Sequence, residues 1–174
     1  GIFLAPLVLP VLSVDRFIAY SEAIGLGHAK TENHEMGRLP QFYADMHGWE
    51  EMVGAVAQAW GTLSEEEKAR AAIFTDNYGE AGAVDFLGPK YGLPKAISGH
   101  QNYWVWGPRG YTGDVMVTVG VDREDLEKYF ASVEEAARVH CGDCMPYEDD
   151  SPVFVCRGIV APLPEVWEVT KNWR

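Results

Sequence analysis

The chain has 174 residues, 47% hydrophobic and 23% charged, with 26 acidic against 14 basic side chains and a formal charge of −12. That is enough chain to bury a core without metals or many cross-links. The acidic balance repels phosphate backbones and offers no polybasic patch to anionic lipid headgroups, so nucleic acid is excluded as a natural partner.

Ile2 to Leu12 (IFLAPLVLPVL) carries no charge and contains two prolines. It falls short of the ~20 apolar residues that a span needs. It also lacks the basic start and small-residue cleavage site of a signal peptide. It reads either as a core strand or a segment packed on the domain, or as the trailing end of a transmembrane helix. Asp15 can cap a helix from Arg16 to Ile24, which Gly25 stops. His28 to Asp45 is polar and irregular and reads as a long surface connection. Trp49, Met52, Val53, Val56 and Trp60 recur at helical spacing, so Gly48 to Trp60 is an amphipathic helix. Ser64 and Glu67 fit a capping box.

Ala71 to Thr75 is a short apolar strand broken by the turn Asp76-Asn77-Tyr78-Gly79. Glu80 to Leu87 continues at helical spacing and ends at Gly88-Pro89. Lys95 to Ser98 reads as a second strand. A strand, a helix and a strand make a βαβ unit, whose two strands end at one edge of a parallel sheet. The loops Asp76–Glu80 and Gly99–Trp106 should therefore meet where open α/β sheets hold their ligands. Val115 to Val121 is a third strand, and Asp122 caps a helix from Arg123 to Phe130. Val133–Val139 and Val153–Arg157 are strands able to pair antiparallel at one side of the sheet, and Pro164 to Trp173 closes the chain as a helix. The expected fold is α/β: a three-layer sandwich with a mixed, mainly parallel sheet of about five strands.

Chemistry-bearing residues concentrate in the two loops. Asp76, Asn77, Tyr78 and Glu80 precede a helix, where free N–H groups suit an anion. The two carboxylates oppose that, and no phosphate-binding fingerprint is present. Asp76 or Asn77 simply capping the helix is the favoured reading; the functional one has Asn77 and Glu80 hydrogen-bonding sugar hydroxyls. His100, Gln101, Asn102, Tyr103 and Trp104 combine an imidazole and amides with flat apolar rings, a sugar-binding composition that core or membrane-surface packing would also explain. His100 with Asp76 or Glu80 would make an acid–base pair, but no recognised nucleophile accompanies it, which favours a structural histidine. Cys141, Cys144 and Cys156 cluster. A redox C-x-x-C would open a helix, and zinc would need His140 as a fourth ligand beside Cys141. A structural disulfide fits better, with Cys144 to Cys156 the expected pair and Cys141 free. No metal or other cofactor is expected.

The motifs DNYGEAGAVDF (Asp76–Phe86), GLPKAISGHQNYWVWGP (Gly92–Pro108) and CMPYE (Cys144–Glu148), with LPQFYADMHGW (Leu39–Trp49), resemble the C-terminal soluble domain of bacterial membrane glycosyltransferases of family 39, relatives of the protein O-mannosyltransferases. The resemblance implies that residues 1–14 are the stub of a preceding transmembrane helix and that 15–174 form one soluble α/β domain. It places that domain on the periplasmic or extracytoplasmic side of the inner membrane, beside the transmembrane part of the same polypeptide. In such proteins a polyprenyl-phosphate-linked sugar is the donor. The catalytic carboxylate lies in the membrane part, so no catalytic residue carries over to this chain. The domain would aid recognition of the lipid-linked sugar or the glycan acceptor. The alternatives are a freestanding α/β hydrolase-like enzyme acting on a sugar or phosphate ester, or a structural interaction module.

Overall fold

A computed structural model describes residues 2–26 and 37–173. They group into two compact units, one from Gly1–Gly48 with Cys141–Asp149, the other from Trp49–His140 with Asp150–Arg174. Of the expected connection from His28 to Asp45, residues 28–36 lie outside the described residues, and Gln41–Ala44 form a short helix.

In the first unit a 3₁₀ turn over Ile2–Leu4 leads into α1 (Ala5–Val8), followed by α2 (Val14–Ala23) and α3 (Gln41–Ala44). Its core is built on Phe17, stacked on Tyr43 at 4.1 Å between ring centroids. Leu39, Ala44 and Met145 complete the buried cluster, with Leu7, Leu12, Val14 and Ile18 packed around it. The Tyr43 hydroxyl donates to the Leu12 carbonyl at 3.3 Å, and Arg38 bridges Asp15 and Asp143 at 2.9 and 3.1 Å.

Cysteine pairing differs from expectation. Cys144 bonds to Cys141, with the Cα atoms 5.7 Å apart, and Cys156 is a free, buried thiol. The C-x-x-C spacing already sets those two Cα atoms within bridging range. Cys156 lies mid-strand in the other unit's sheet, opposite Met116 and Val133, with its sulfur 3.9 Å from Thr118 Oγ1.

The second unit opens with α4 (Trp49–Gly61), α5 (Glu65–Lys68) and β1 (Ala72–Thr75), then α6 (Tyr78–Leu87) and a 3₁₀ turn at Gly88–Tyr91. β2 (Ile97–Ser98), α7 (Asn102–Trp106), β3 (Val115–Val119), α8 (Arg123–Leu126), β4 (Phe130–Arg138) and β5 (Pro152–Ile159) follow, and α9 (Leu163–Val166) with a 3₁₀ turn at Trp167–Thr170 ends the chain. The sheet order is β2-β1-β3-β5-β4. β1 pairs parallel with β2 and β3, and β5 runs antiparallel to β3 and β4. The fold is α/β with a mixed five-stranded sheet.

Strand alternation sorts the side chains into two faces. Ala72, Ile97, Met116, Phe154 and Cys156 pack against Leu126, Leu163 and Trp167. On the other face α4 covers β3, β4 and β5, while α6 covers β1 and β2; Ile73, Val117 and Val155 are fully buried there.

Three expected elements change length or type for tertiary reasons. The helix after Asp122 stops at Leu126, because Phe130 pairs with Ile159 as the start of β4. The closing helix breaks into two short turns, because Asn172 turns out to bond the backbone of Gly99 and Gln101. Residues 102–106, expected in a loop, wind into α7.

Candidate functional site

Because β1, β2 and β3 run parallel, the segments leaving their C-terminal ends share one edge of the sheet. From β1 the chain passes through α6 to β2 on one side, while β3 lies on the other. Strand order therefore reverses beside β1, the position at which open α/β sheets bind ligands. Residues 76–80, 99–102 and 120–122 meet there.

Backbone and hydroxyl bonds hold these segments together. Asp76 N donates to the Val119 carbonyl at 3.2 Å. Ser98 Oγ donates to the Asp76 carbonyl at 3.2 Å and accepts from His100 N at 3.1 Å, stitching the first two loops. Asn77 and Glu80 form a reciprocal capping box on α6: Glu80 N donates to Asn77 Oδ1 at 3.0 Å, and Asn77 N donates to Glu80 Oε2 at 3.2 Å. The cap reading of Asn77 is therefore the one realised. The Glu80 carboxylate lies against Gly120, where an added Cβ would sit 2.5 and 2.6 Å from its two oxygens.

His100 sits at the centre, only 7% exposed. Its ring centroid is 4.8 Å from that of Tyr78. Neither ring nitrogen reaches solvent or finds a hydrogen-bond partner among the described residues. A buried polar atom left unbonded costs about 1–3 kcal/mol, so an imidazole with both nitrogens in that state is anomalous. Asp76 is its electrostatic neighbour. Desolvation raises the Asp76 carboxyl above its ordinary pKa; the charge of Asp122 adds to this and His100 opposes it.

Of the other expected residues, Gln101 and Asn102 remain exposed at the same turn. Gln101 adopts φ 48° and ψ −124°, a backbone conformation that side chains rarely occupy. Tyr103 and Trp104 are engaged elsewhere. The Tyr103 hydroxyl donates to Asp85 Oδ2 at 3.2 Å, and burial beside that carboxylate pushes its pKa up to about 12. The Trp104 indole donates to the Trp167 carbonyl at 3.3 Å.

Sequence reasoning missed Gly120 and Asp122. Asp122 precedes α8 as a cap would, yet its side chain makes no cap bond. Only the placement of β3 next to β1 brings it to Asp76. The sharp Val119-Gly120 break after a strong strand was the one available clue.

Chemically, the edge offers a carboxylate, an imidazole, an exposed amide pair and one aromatic face. The aliphatic hydroxyls of Ser98 and Thr75 beside it are both bonded in the loop framework. Among the described residues no cluster of His, Cys, Asp or Glu is suited to a metal ion. Compared with protein-family models, with curated proteins and with solved structures, the chain matches none.

Proposed function

We propose that this chain is the non-catalytic, extracytoplasmic domain of a membrane-bound glycosyltransferase that takes a sugar from a polyprenyl-phosphate donor, and that it aids recognition of donor or acceptor beside the membrane part. One observation carries the reading. Within Phe3–Val11, the side chains of Phe3, Val8 and Val11 are 79%, 75% and 67% exposed, and Leu4 and Leu9 are exposed with them. Leu7 within this run, and Leu12 just after it, pack on the unit's core. So dense an apolar surface in a short helical segment suits a bilayer-adjacent environment. Of the motifs that carry the resemblance, DNYGEAGAVDF spans the turn after β1 and most of α6, and GLPKAISGHQNYWVWGP contains β2 and α7. No helix among the described residues is long and apolar enough to cross a membrane; in this reading the spans and the catalytic carboxylate belong to the membrane part of the same polypeptide.

The test is the coding sequence upstream of Gly1, followed by activity. Several runs of about twenty apolar residues should precede it, and membranes holding the intact protein should transfer sugar from a polyprenyl-phosphate donor. A reading frame with no such runs overturns the proposal. A second reading, a freestanding hydrolase-like enzyme, draws on Asp76 beside His100. It requires the 174-residue chain alone to cleave p-nitrophenyl esters, phosphates or glycosides, with the activity lost in His100→Ala.

A further inference from the structure

We infer that the turn at His100–Gln101 is a binding site for the ring of an uncharged sugar, with the imidazole and the Asp76 carboxylate taking its hydroxyls and the Tyr78 ring facing its C–H surface. This rests on the glycosyltransferase reading only for which sugar-bearing molecule arrives there. It narrows that reading to the carbohydrate itself, not the phosphate of a lipid donor.

The first ground is His100. Two occluded, unbonded ring nitrogens in one side chain call for a partner that the described residues do not provide. An imidazole offers one donor and one acceptor when neutral, the pair that a sugar hydroxyl can meet in either sense.

The second ground is the charge around it. The segments 76–80, 99–102 and 120–122 contain Asp76, Glu80 and Asp122 and neither lysine nor arginine. Carboxylates at this density repel phosphate and carboxylate ligands. They are also poor neighbours for a purely apolar one, whereas they accept hydrogen bonds from hydroxyls. With no metal-binding cluster among the described residues, a neutral polyhydroxylated ring is the ligand that fits.

The third ground is access. Tyr78 is the first residue of α6 and is 53% exposed, its ring tilted 59° to that of His100. This exposed ring is an aromatic face in direct contact with the imidazole, on the side from which a ligand would approach it. Gln101, next in sequence, holds a backbone conformation that costs stability and persists because neighbouring structure enforces it. Its own N–H donates to the Asn172 carbonyl at 2.9 Å, and Asn172 N donates to the Gly99 carbonyl at 2.8 Å. That clamp keeps an exposed carboxamide at the turn where glycine would be the relaxed choice.

The experiment is NMR of the His100 ring nitrogens in the 174-residue chain. Methyl α-glucopyranoside and methyl α-mannopyranoside are titrated to about 100 mM, a range suited to a weak open site. Inorganic phosphate at matched ionic strength is the control. At least one hexoside should move the His100 resonances saturably and phosphate should not. Asp76→Asn and Tyr78→Ala, each confirmed folded by its melting temperature, should weaken binding at least fivefold. Gln101→Gly should melt higher than the parent chain and bind more weakly. Folded protein whose His100 resonances ignore both hexosides overturns the site, as does a response to phosphate alone. A Gln101→Gly chain that binds as the parent does removes Gln101 from it. Failure here leaves the membrane reading to its own test. Binding by a chain whose gene encodes no upstream spans would keep the sugar site and remove the membrane reading.

Discussion

Trp104 and Trp167 exchange hydrogen bonds. The Trp104 indole donates to the Trp167 carbonyl at 3.3 Å, and the Trp167 indole donates to the Trp104 carbonyl at 3.0 Å. The Lys171 ammonium lies 4.2 Å from the Trp104 ring centroid, and the Trp173 ring meets it edge-on. The aromatic run after His100 thus fastens α7 to the C-terminal segment. This gives Trp104 a packing role where its composition suggested a sugar platform.

That pairing should be visible in stability. Trp104→Phe keeps the ring and loses one N–H bond, so it should cost about 1 kcal/mol. Trp104→Ala also empties a half-buried site and should cost about 2–3 kcal/mol. Urea titrations of both variants check this, and an unchanged midpoint for Trp104→Ala would remove the fastening role.

Gly99 is where the C-terminal segment comes closest. A Cβ there would fall 1.8 Å from the Thr170 carbonyl oxygen, a backbone atom with little freedom to move. Gly99→Ala should therefore destabilise by about 3 kcal/mol or more, or release the segment. Hydrogen exchange separates the two: release should leave the amides of Gln101 and Asn172, which bridge the loop and the tail, unprotected in otherwise folded protein.

Thiol counting checks the cysteine assignment. Unfolded without reductant, the chain should show one reactive thiol, Cys156, and after reduction all three cysteines should react. In the native protein Cys156 should stay silent at pH about 8, because burial pushes its thiol up to about 11 and blocks access. Three thiols in the unreduced, unfolded sample would contradict the Cys141–Cys144 bond.

Two carboxylates should shift stability with pH in opposite senses. Arg157 Nε donates to Glu67 Oε1 at 2.7 Å, and with the Ser64 backbone N–H this lowers the Glu67 pKa from 4.5 to about 2. A depressed folded pKa means stabilisation that is complete above the ordinary value and disappears as pH falls toward about 2. The melting-temperature gap between the parent chain and Glu67→Gln should therefore be constant near neutrality and close in acid. Asp76 has the reverse sign, its pKa being raised chiefly by desolvation. Its protonated form favours folding below the ordinary carboxyl range, and that contribution is lost as pH rises. Asp76→Asn should melt higher than the parent at neutral pH and lose the advantage in acid. Equal gaps at all pH values would refute either assignment.

Much of the architecture was legible because its signals act within a few residues. Apolar runs and breakers marked β1, α6 and β2 in order, and the Ser64/Glu67 capping box forms as its spacing implies. Parallel pairing of β1 with β2 then brings the 76–80 and 99–102 segments together, since a βαβ connection leaves little alternative. The antiparallel pairing of β4 with β5 was likewise readable from two strand patterns joined by an irregular loop.

What remained needed partners far apart in sequence. Seating β3 beside β1 delivers Asp122 to Asp76 and Gly120 to Glu80, and no local pattern encodes which strand inserts there. Cys156 is kept from a disulfide by its place inside a strand between β3 and β4, a matter of burial and not of spacing. Tyr103 and Trp104 have the composition of a binding surface, but Asp85 and Trp167 claim their polar atoms. The chain alone names which groups can make hydrogen bonds; only the packed structure shows which of them are already made, and among the described residues at the sheet edge that leaves both ring nitrogens of His100 without a partner.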